Sequence, residues 1–317
     1  MSEAGQRIRL RGGICTSVGQ VRENNEDNLH LWMRDTFVVA IVADGMGGAA
    51  AGEEASRLAV ETVESGFLRD DQVRFQAMAD DLIRIEMRAA IREANMAIVN
   101  RAAGNPDLRG MGTTVTMAFV RGSHVIIAHV GDSRAYHVDG STRQITQVTI
   151  DHSFVEALIA AGHLTQEQAE EHPMQHVLYR ALGQTDDIDV DIYETRVRAG
   201  DRLVLCSDGL TRHVKPHELA EIVLKTDDPT TAAEHLIERA NALGGVDNVS
   251  SVVLIVDSVP DDEETMELNR LAALPVEDET LRLTFSDDDT HQALRAIREG
   301  DPVQSPEEGR DPKSPLE

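Results

Sequence analysis

The chain of 317 residues carries 56 Asp and Glu against 30 Lys and Arg, a net charge of −26, and is 41% apolar but only 3% aromatic. That acidity argues against nucleic acid or an anionic membrane as partner, because both reward Lys and Arg that neutralise phosphate; the apolar share is ample for a core of Val, Ile, Leu, Ala and Met rather than stacked rings. Two cysteines, Cys15 and Cys206, are too few for a disulfide framework. The N-terminus lacks a secretion-signal core and no stretch approaches the ~18 to 20 apolar residues of a membrane span, so a cytoplasmic, membrane-free monomer is expected.

Residues 8–17, 28–33 and 37–43 read as strands, the last apolar enough to be buried on both faces. A helix over 50–67 puts Ala55, Leu58, Ala59, Thr62 and Val63 at three- and four-residue spacing. A longer one over 75–102 is expected to bury Leu82, Ile85, Ala89, Ile91, Ala94 and Ile98, and to lie beside the first on a sheet. Runs at 113–120, 124–130, 134–138 and 144–149 are punctuated by Arg121-Gly122, Gly131-Asp132 and Asp139-Gly140, which predicts an antiparallel meander of hairpins. Between 152 and 183 the pattern is helical and irregular, broken at Gly162 and Pro173, as in an inserted flap. Strands return at 190–197 and 202–206, helices at 216–224 and 230–243, and a last strand at 249–256.

Hairpin-joined strands with helices in pairs predict an α+β fold, a β-sandwich of two mainly antiparallel sheets flanked by helices on both sides, over residues 1–259. Residues 260–317 are a separate compositional unit. From Asp261 to Glu317 there are 17 Asp and Glu against 6 Lys and Arg, a net −11 that leaves −15 for the first 260 residues. With Asp301-Pro302, Ser305-Pro306, Asp311-Pro312 and Ser314-Pro315, this reads as an acidic, disordered tail, with a short helix over 291–298 as its one structured candidate.

Three carboxylates sit in small-residue turns at the ends of apolar runs: Asp44 in Asp44-Gly45-Met46-Gly47-Gly48, Asp208 in Ser207-Asp208-Gly209, and Asp247 in Gly244-Gly245-Val246-Asp247-Asn248. A carboxylate at a buried strand tip is costly to desolvate unless a positive charge meets it. Several such tips together, with the Glu26-Asp27 pair, supply the oxygen ligands that two six-coordinate hard cations need, the rest being water.

These motifs follow one another in an order that resembles the metal-dependent protein phosphatases of the 2C type, the PPM family, in its bacterial Ser/Thr branch. The resemblance spans residues 8–257. It rests on Arg22-Glu23-Asn24-Asn25-Glu26-Asp27-Asn28, on the Asp44 motif, on Gly112-Thr113-Thr114 and on Gly131-Asp132-Ser133-Arg134-Ala135-Tyr136. Asp151-His152-Ser153, Ser207-Asp208-Gly209-Leu210 and Asp247-Asn248-Val249-Ser250 complete it. The resemblance implies that phosphoserine and phosphothreonine in proteins are hydrolysed by a water activated between two Mn²⁺ or Mg²⁺ ions. It further implies that Asp44 bridges the ions, the Gly45 carbonyl binds one, Asp208 and Asp247 bind the other, and Glu26 and Asp27 act through bound water. Asp132, with Asp208, would hold a third ion, and Arg22 would clasp the substrate phosphate, for which a planar guanidinium is suited. The partners implied are phosphorylated proteins, namely Ser/Thr kinases and their substrates.

Two departures stand out. Some eukaryotic members place a His given the general-acid role where this chain has Met46, which cannot donate a proton. The leaving group's proton is then expected from a water on the Asp132-linked ion, with His152 as the alternative, although a His after a strand is more often structural. In the flap, His176 and Tyr179 stand where Asn and Thr are more usual. A non-catalytic phosphoprotein-binding role would suit lost ligands, but Asp44, Asp208 and Asp247 are all present. A phosphorylated regulator in a partner-switching pathway of the anti-sigma kind remains open as the target.

Overall fold

A computed structural model describes residues 8–68, 75 and 78–259. The tail expected over 260–317, its candidate helix and the first seven residues lie outside these described residues.

Two antiparallel sheets form the centre. One runs β1 (Arg9–Ser17), β11 (Val249–Ser258), β10 (Arg202–Cys206), β7 (Arg134–Val138), β8 (Ile145–Gln147). The other runs β2 (Asp27–Met33), β3 (Val38–Met46), β5 (Val115–Arg121), β6 (His124–Val130), β9 (Asp191–Arg196), with the two-residue β4 (Gly112–Thr113) on the end of β3. Helices α1 (Ala49–Phe67) and α2 (Asp80–Gly104) cover the second sheet. Helices α5 (Asp208–Thr211), α6 (Pro216–Lys225) and α7 (Pro229–Ala242) cover the first. The flap carries α3 (Phe154–Ala160) and α4 (Gln166–Glu170).

Alternation along single strands builds the layers. In β3, Val39, Ile41 and Ala43 face α1 and α2, while Val38, Ala40 and Val42 face the opposite sheet. In β11, Val249, Val253 and Ile255 face α6 and α7, while Val252, Leu254 and Val256 face inward. These near-continuous apolar runs are what burial on both faces demands of a strand.

Three sequence expectations need correction. The meander is not continuous, because the turn at Gly131-Asp132-Ser133 carries the chain from β6 in one sheet to β7 in the other. Gly131, at φ +112°, makes that crossing where a Cβ would lie 2.5 Å from the Thr114 side chain. In α2 the buried stripe is Ile83, Met87, Ala90, Ile91, Ala94 and Ile98, whereas Leu82 and Ile85 are exposed. Spacing alone does not say which of two apolar rows meets the sheet. Finally, although aromatics are few, Phe37, Phe67, Phe75 and Phe119 converge into one ring cluster with centroids 4.6 to 6.2 Å apart.

Candidate functional site

The ends of β3 and β10, the starts of β2 and β11 and the β6–β7 crossing all meet at one end of the sandwich. There they enclose a cavity of about 330 Å³ lined by Arg22, Glu26, Asp44, Asp132, Asp208, Arg212 and Asp247, among others. Asp27 lies directly opposite Asp44 in the β2–β3 register, which puts both side chains on the same face of the sheet. The expected site residues, six carboxylates, Arg22 and Gly45, are therefore brought together from five segments of chain.

Each carboxylate is braced. Asp44 is held through its backbone: its N–H donates to Thr114 Oγ1 at 3.0 Å, and its carbonyl accepts from Thr113 Oγ1 at 2.9 Å. Thr114 Oγ1 also lies 2.7 Å from Ser133 Oγ, which ties the Asp44 tip to the Asp132 crossing. Arg134 donates to Asp151 from Nε and Nη2, at 2.7 to 3.0 Å, and fixes the strand that leaves that crossing. Asn248 accepts the Glu26 N–H at 2.7 Å and donates to the carbonyls of Val18 and Asn24 at 3.0 and 2.9 Å, so the Asp247 turn clamps the Arg22–Asp27 loop. Gly45 is required by closeness: a Cβ there would stand 2.1 Å from the Gly52 carbonyl oxygen and 2.5 Å from that of Glu26.

Charge is out of balance in this cavity. Burial, and then the neighbouring acids, hold Asp44 and Asp132 well above the usual carboxylate range and push Asp27 up to about 7. Burial also raises Glu26 against the opposing pull of Arg22. Asp27 Oδ2 accepts from Ser207 Oγ at 2.8 Å, but its buried Oδ1 has no hydrogen-bond partner. Among the described residues, two cations pair directly with these acids. Arg212 pairs with Asp208, and with Asp247 Oδ2 at 3.0 Å; Arg22, half-exposed at the rim, reaches Asp247 Oδ2 at 3.0 Å and Glu26 at 4.0 Å.

The acids around this cavity outnumber the guanidiniums that pair with them, a shortage of positive charge that divalent cations would make good. An all-oxygen donor set with an orphaned buried carboxylate oxygen also suits Mn²⁺ or Mg²⁺. Among the described residues no three acidic side chains already stand at ligand spacing, and Asp208 and Asp247 are held by arginine instead. The residues present fit such ions by charge and chemistry.

His152 does not face the cavity. It is buried, its Nδ1 accepts the Gly131 N–H at 3.0 Å, and its Nε2 lies 3.0 Å from Asp191 and 3.2 Å from Arg180. The structural reading of this His therefore holds. In the flap, His176 and Leu178 line the cavity, whereas the Tyr179 ring packs at a tilt against His152. Sequence reasoning missed Arg212 and the clamping role of Asn248. An Arg four residues after an Asp, at the head of a helix, is the signal that could have exposed Arg212.

The protein phosphatase 2C family profile matches residues 16–247. The serine/threonine phosphatase stp of Listeria welshimeri is 37% identical over 243 residues, covering 76% of this chain and 93% of that protein. The serine/threonine phosphatase of S. agalactiae superposes with a TM-score of 0.71 at 32% identity, covering 78% of this chain and 100% of that one. The catalytic domain of the phosphatase PstP, in complex with two manganese ions, superposes with a TM-score of 0.67 at 34% identity over 78% and 99% of the two chains.

Proposed function

Because the chain belongs to the protein phosphatase 2C family, and is thereby a metal-dependent protein serine/threonine phosphatase, we propose that the cavity lined by Glu26, Asp44, Asp132, Asp208 and Asp247, with Asp27 buried opposite Asp44, is its catalytic centre. The observation that carries this reading is the excess of converging carboxylates over guanidiniums around Asp44. Asp44, the Gly45 carbonyl, Asp208 and Asp247 are the groups that would hold two such cations, with Asp44 common to both. Glu26 and Asp27 act at one remove. Asp132, which makes no ion pair among the described residues, is assigned with Asp208 to a further cation. PstP with its two manganese ions favours Mn²⁺, and Mg²⁺ suits the same oxygens. Bound there, such ions supply an activated water and neutralise phosphoryl charge.

The chain's own groups do the rest. Arg22, at the rim with its outer face open, receives two phosphoryl oxygens. The Asp44 tip, braced by Thr113 and Thr114, and the Asp247 turn, clamped by Asn248, keep the ligands rigid, so little reorganisation accompanies reaction. Met46 has no proton to give and both His152 nitrogens are engaged, which leaves the Asp132 side of the cavity to supply the leaving oxygen's proton. His176 faces the substrate from the flap.

Substrates are phosphorylated proteins, and the enzyme is assigned to oppose Ser/Thr kinases as a cytoplasmic monomer. Both cysteines are free, and among the described residues no helix is long and apolar enough to cross a membrane. Among a docking, an autoinhibitory and a solubilising role for the acidic tail, its composition favours the last, so deleting residues 261–317 should leave turnover on a protein substrate unchanged. The decisive experiment follows phosphate release from a phosphothreonine peptide with Mn²⁺, with EDTA, and with Asp208→Ala. Release that needs the metal and is lost in the variant supports the assignment. No release by well-folded protein would overturn it.

A further inference from the structure

Arg212 is the charged residue lining the cavity that the assignment above does not use. It follows helix α5, one turn beyond Asp208, so the backbone places its guanidinium within reach of that carboxylate. One end pairs with Asp208 and the other lies 3.0 Å from Asp247 Oδ2. Its side chain is only 27% exposed, and the acids it touches are 14% and 15% exposed, so these pairs are poorly screened by water. The two acids it joins are both assigned as cation ligands, so cation and guanidinium compete for the same two carboxylates.

We propose that Arg212 is a built-in counter-ion of the metal centre, whose guanidinium neutralises Asp208 and Asp247 until a divalent cation takes the same carboxylates and displaces it. This inference rests on the assignment of Asp208 and Asp247 as ligands. Unpaired, those two carboxylates would repel each other and Asp132 in a part-buried site. Paired with Arg212, they are stable before the cation arrives, at the expense of affinity for it. Arginine suits the task because its planar fork spans two carboxylates and stays charged at any physiological pH.

The fold also gives the displaced side chain somewhere to go. Arg212 lines a second groove of about 230 Å³ beneath the flap, together with Glu156, Glu170, His176 and Lys215. Lys215 already pairs with Glu170 at 2.7 Å. Glu156, on α3 of the flap, has no ion-pair partner among the described residues, and burial raises its carboxyl above the usual range. Glu156 is the acceptor for the released guanidinium, so cation binding and flap position become linked through one side chain.

Calorimetric titration of Mn²⁺ into the parent, Arg212→Gln and Arg212→Lys reads this directly, without recourse to activity. Arg212→Gln should bind Mn²⁺ about tenfold more tightly or better, and should melt at a lower temperature than the parent in chelator. Arg212→Lys, which keeps the charge but not the fork, should fall between the two. Unchanged or weaker Mn²⁺ affinity in Arg212→Gln would overturn the proposal; if that variant does not fold in chelator, affinity no tighter than the parent's in Arg212→Lys would do so. Asp208→Ala separates this proposal from the one beneath it. Weakened Mn²⁺ binding in that variant keeps the metal assignment whatever Arg212 does, and unaltered binding removes both.

Discussion

With divalent cations removed, replacing Asp27 by Asn should stabilise the protein at pH 8, although it removes a functional acid. Asp27 is buried opposite Asp44, its Oδ1 is unpartnered, and burial with the charges of Asp208 and Asp247 raises its carboxyl from 3.8 to about 7. The sign follows from proton linkage. Below 3.8 both folded and unfolded chains hold the proton, and nothing is lost. Between 3.8 and 7 the unfolded chain releases it while the folded chain keeps it, so stability falls by about 1.4 kcal/mol per pH unit. Above 7 the loss is constant, at about 4 kcal/mol for a rise of about three units.

Asn has the same shape, can still accept from Ser207, and carries no charge to desolvate. Its advantage over Asp should therefore grow by about 3 kcal/mol between pH 5 and pH 8, where the parent loses about two pH units' worth of stability. Urea denaturation in chelator at both pH values, followed by circular dichroism, measures this gap. A gap that does not change with pH, or that shrinks as pH rises, would refute the electrostatic account of the cavity. Saturating Mn²⁺ should reverse the order, because ligand binding adds stability only where the ligand's carboxylates are complete.

Arg22→Ala should lower kcat/KM for a phosphothreonine peptide by about tenfold to a hundredfold, with Arg22→Lys recovering only part, since a lysine cannot clasp two phosphoryl oxygens; steady-state kinetics on the three proteins decides it. Asp132→Asn should slow turnover and displace the alkaline or acid limb of the pH–rate profile, and a parental rate with a parental profile would remove the Asp132 side as the source of the leaving-group proton. Gly45→Ala drives a Cβ to 2.1 Å from a backbone carbonyl that cannot swing aside, so it should cost about 3 kcal/mol of stability and abolish turnover, read by thermal melting and phosphate release.

Much of this architecture is local, and local patterns are legible in a chain. The apolar run before Asp44 predicts a strand buried on both faces, and β3 is one, because its alternate side chains meet α1 and α2 on one side and the other sheet on the other. Asp44, Asp208 and Asp247 announce themselves as polar residues at apolar run ends, and motif order supplies the rest of the acid set. What the chain does not disclose is which elements become neighbours. Gly131-Asp132 has the composition of a hairpin turn, and only the tertiary fold makes it the crossing that brings Asp132 to the cavity. The row of α2 that faces the sheet is likewise chosen by packing, since both rows are apolar.

The same division holds for charge. A sequence can count six acids near strand ends, but the rise of Asp27 to about 7 and the capture of Asp208 and Asp247 by Arg212 depend on burial and on distances across segments remote in the chain. Residue type and order by themselves determined which chemistry this protein could perform. The three-dimensional fold decided which of its charges would meet, because electrostatic energy depends on separation and solvent exposure, and neither is written in the order of residues.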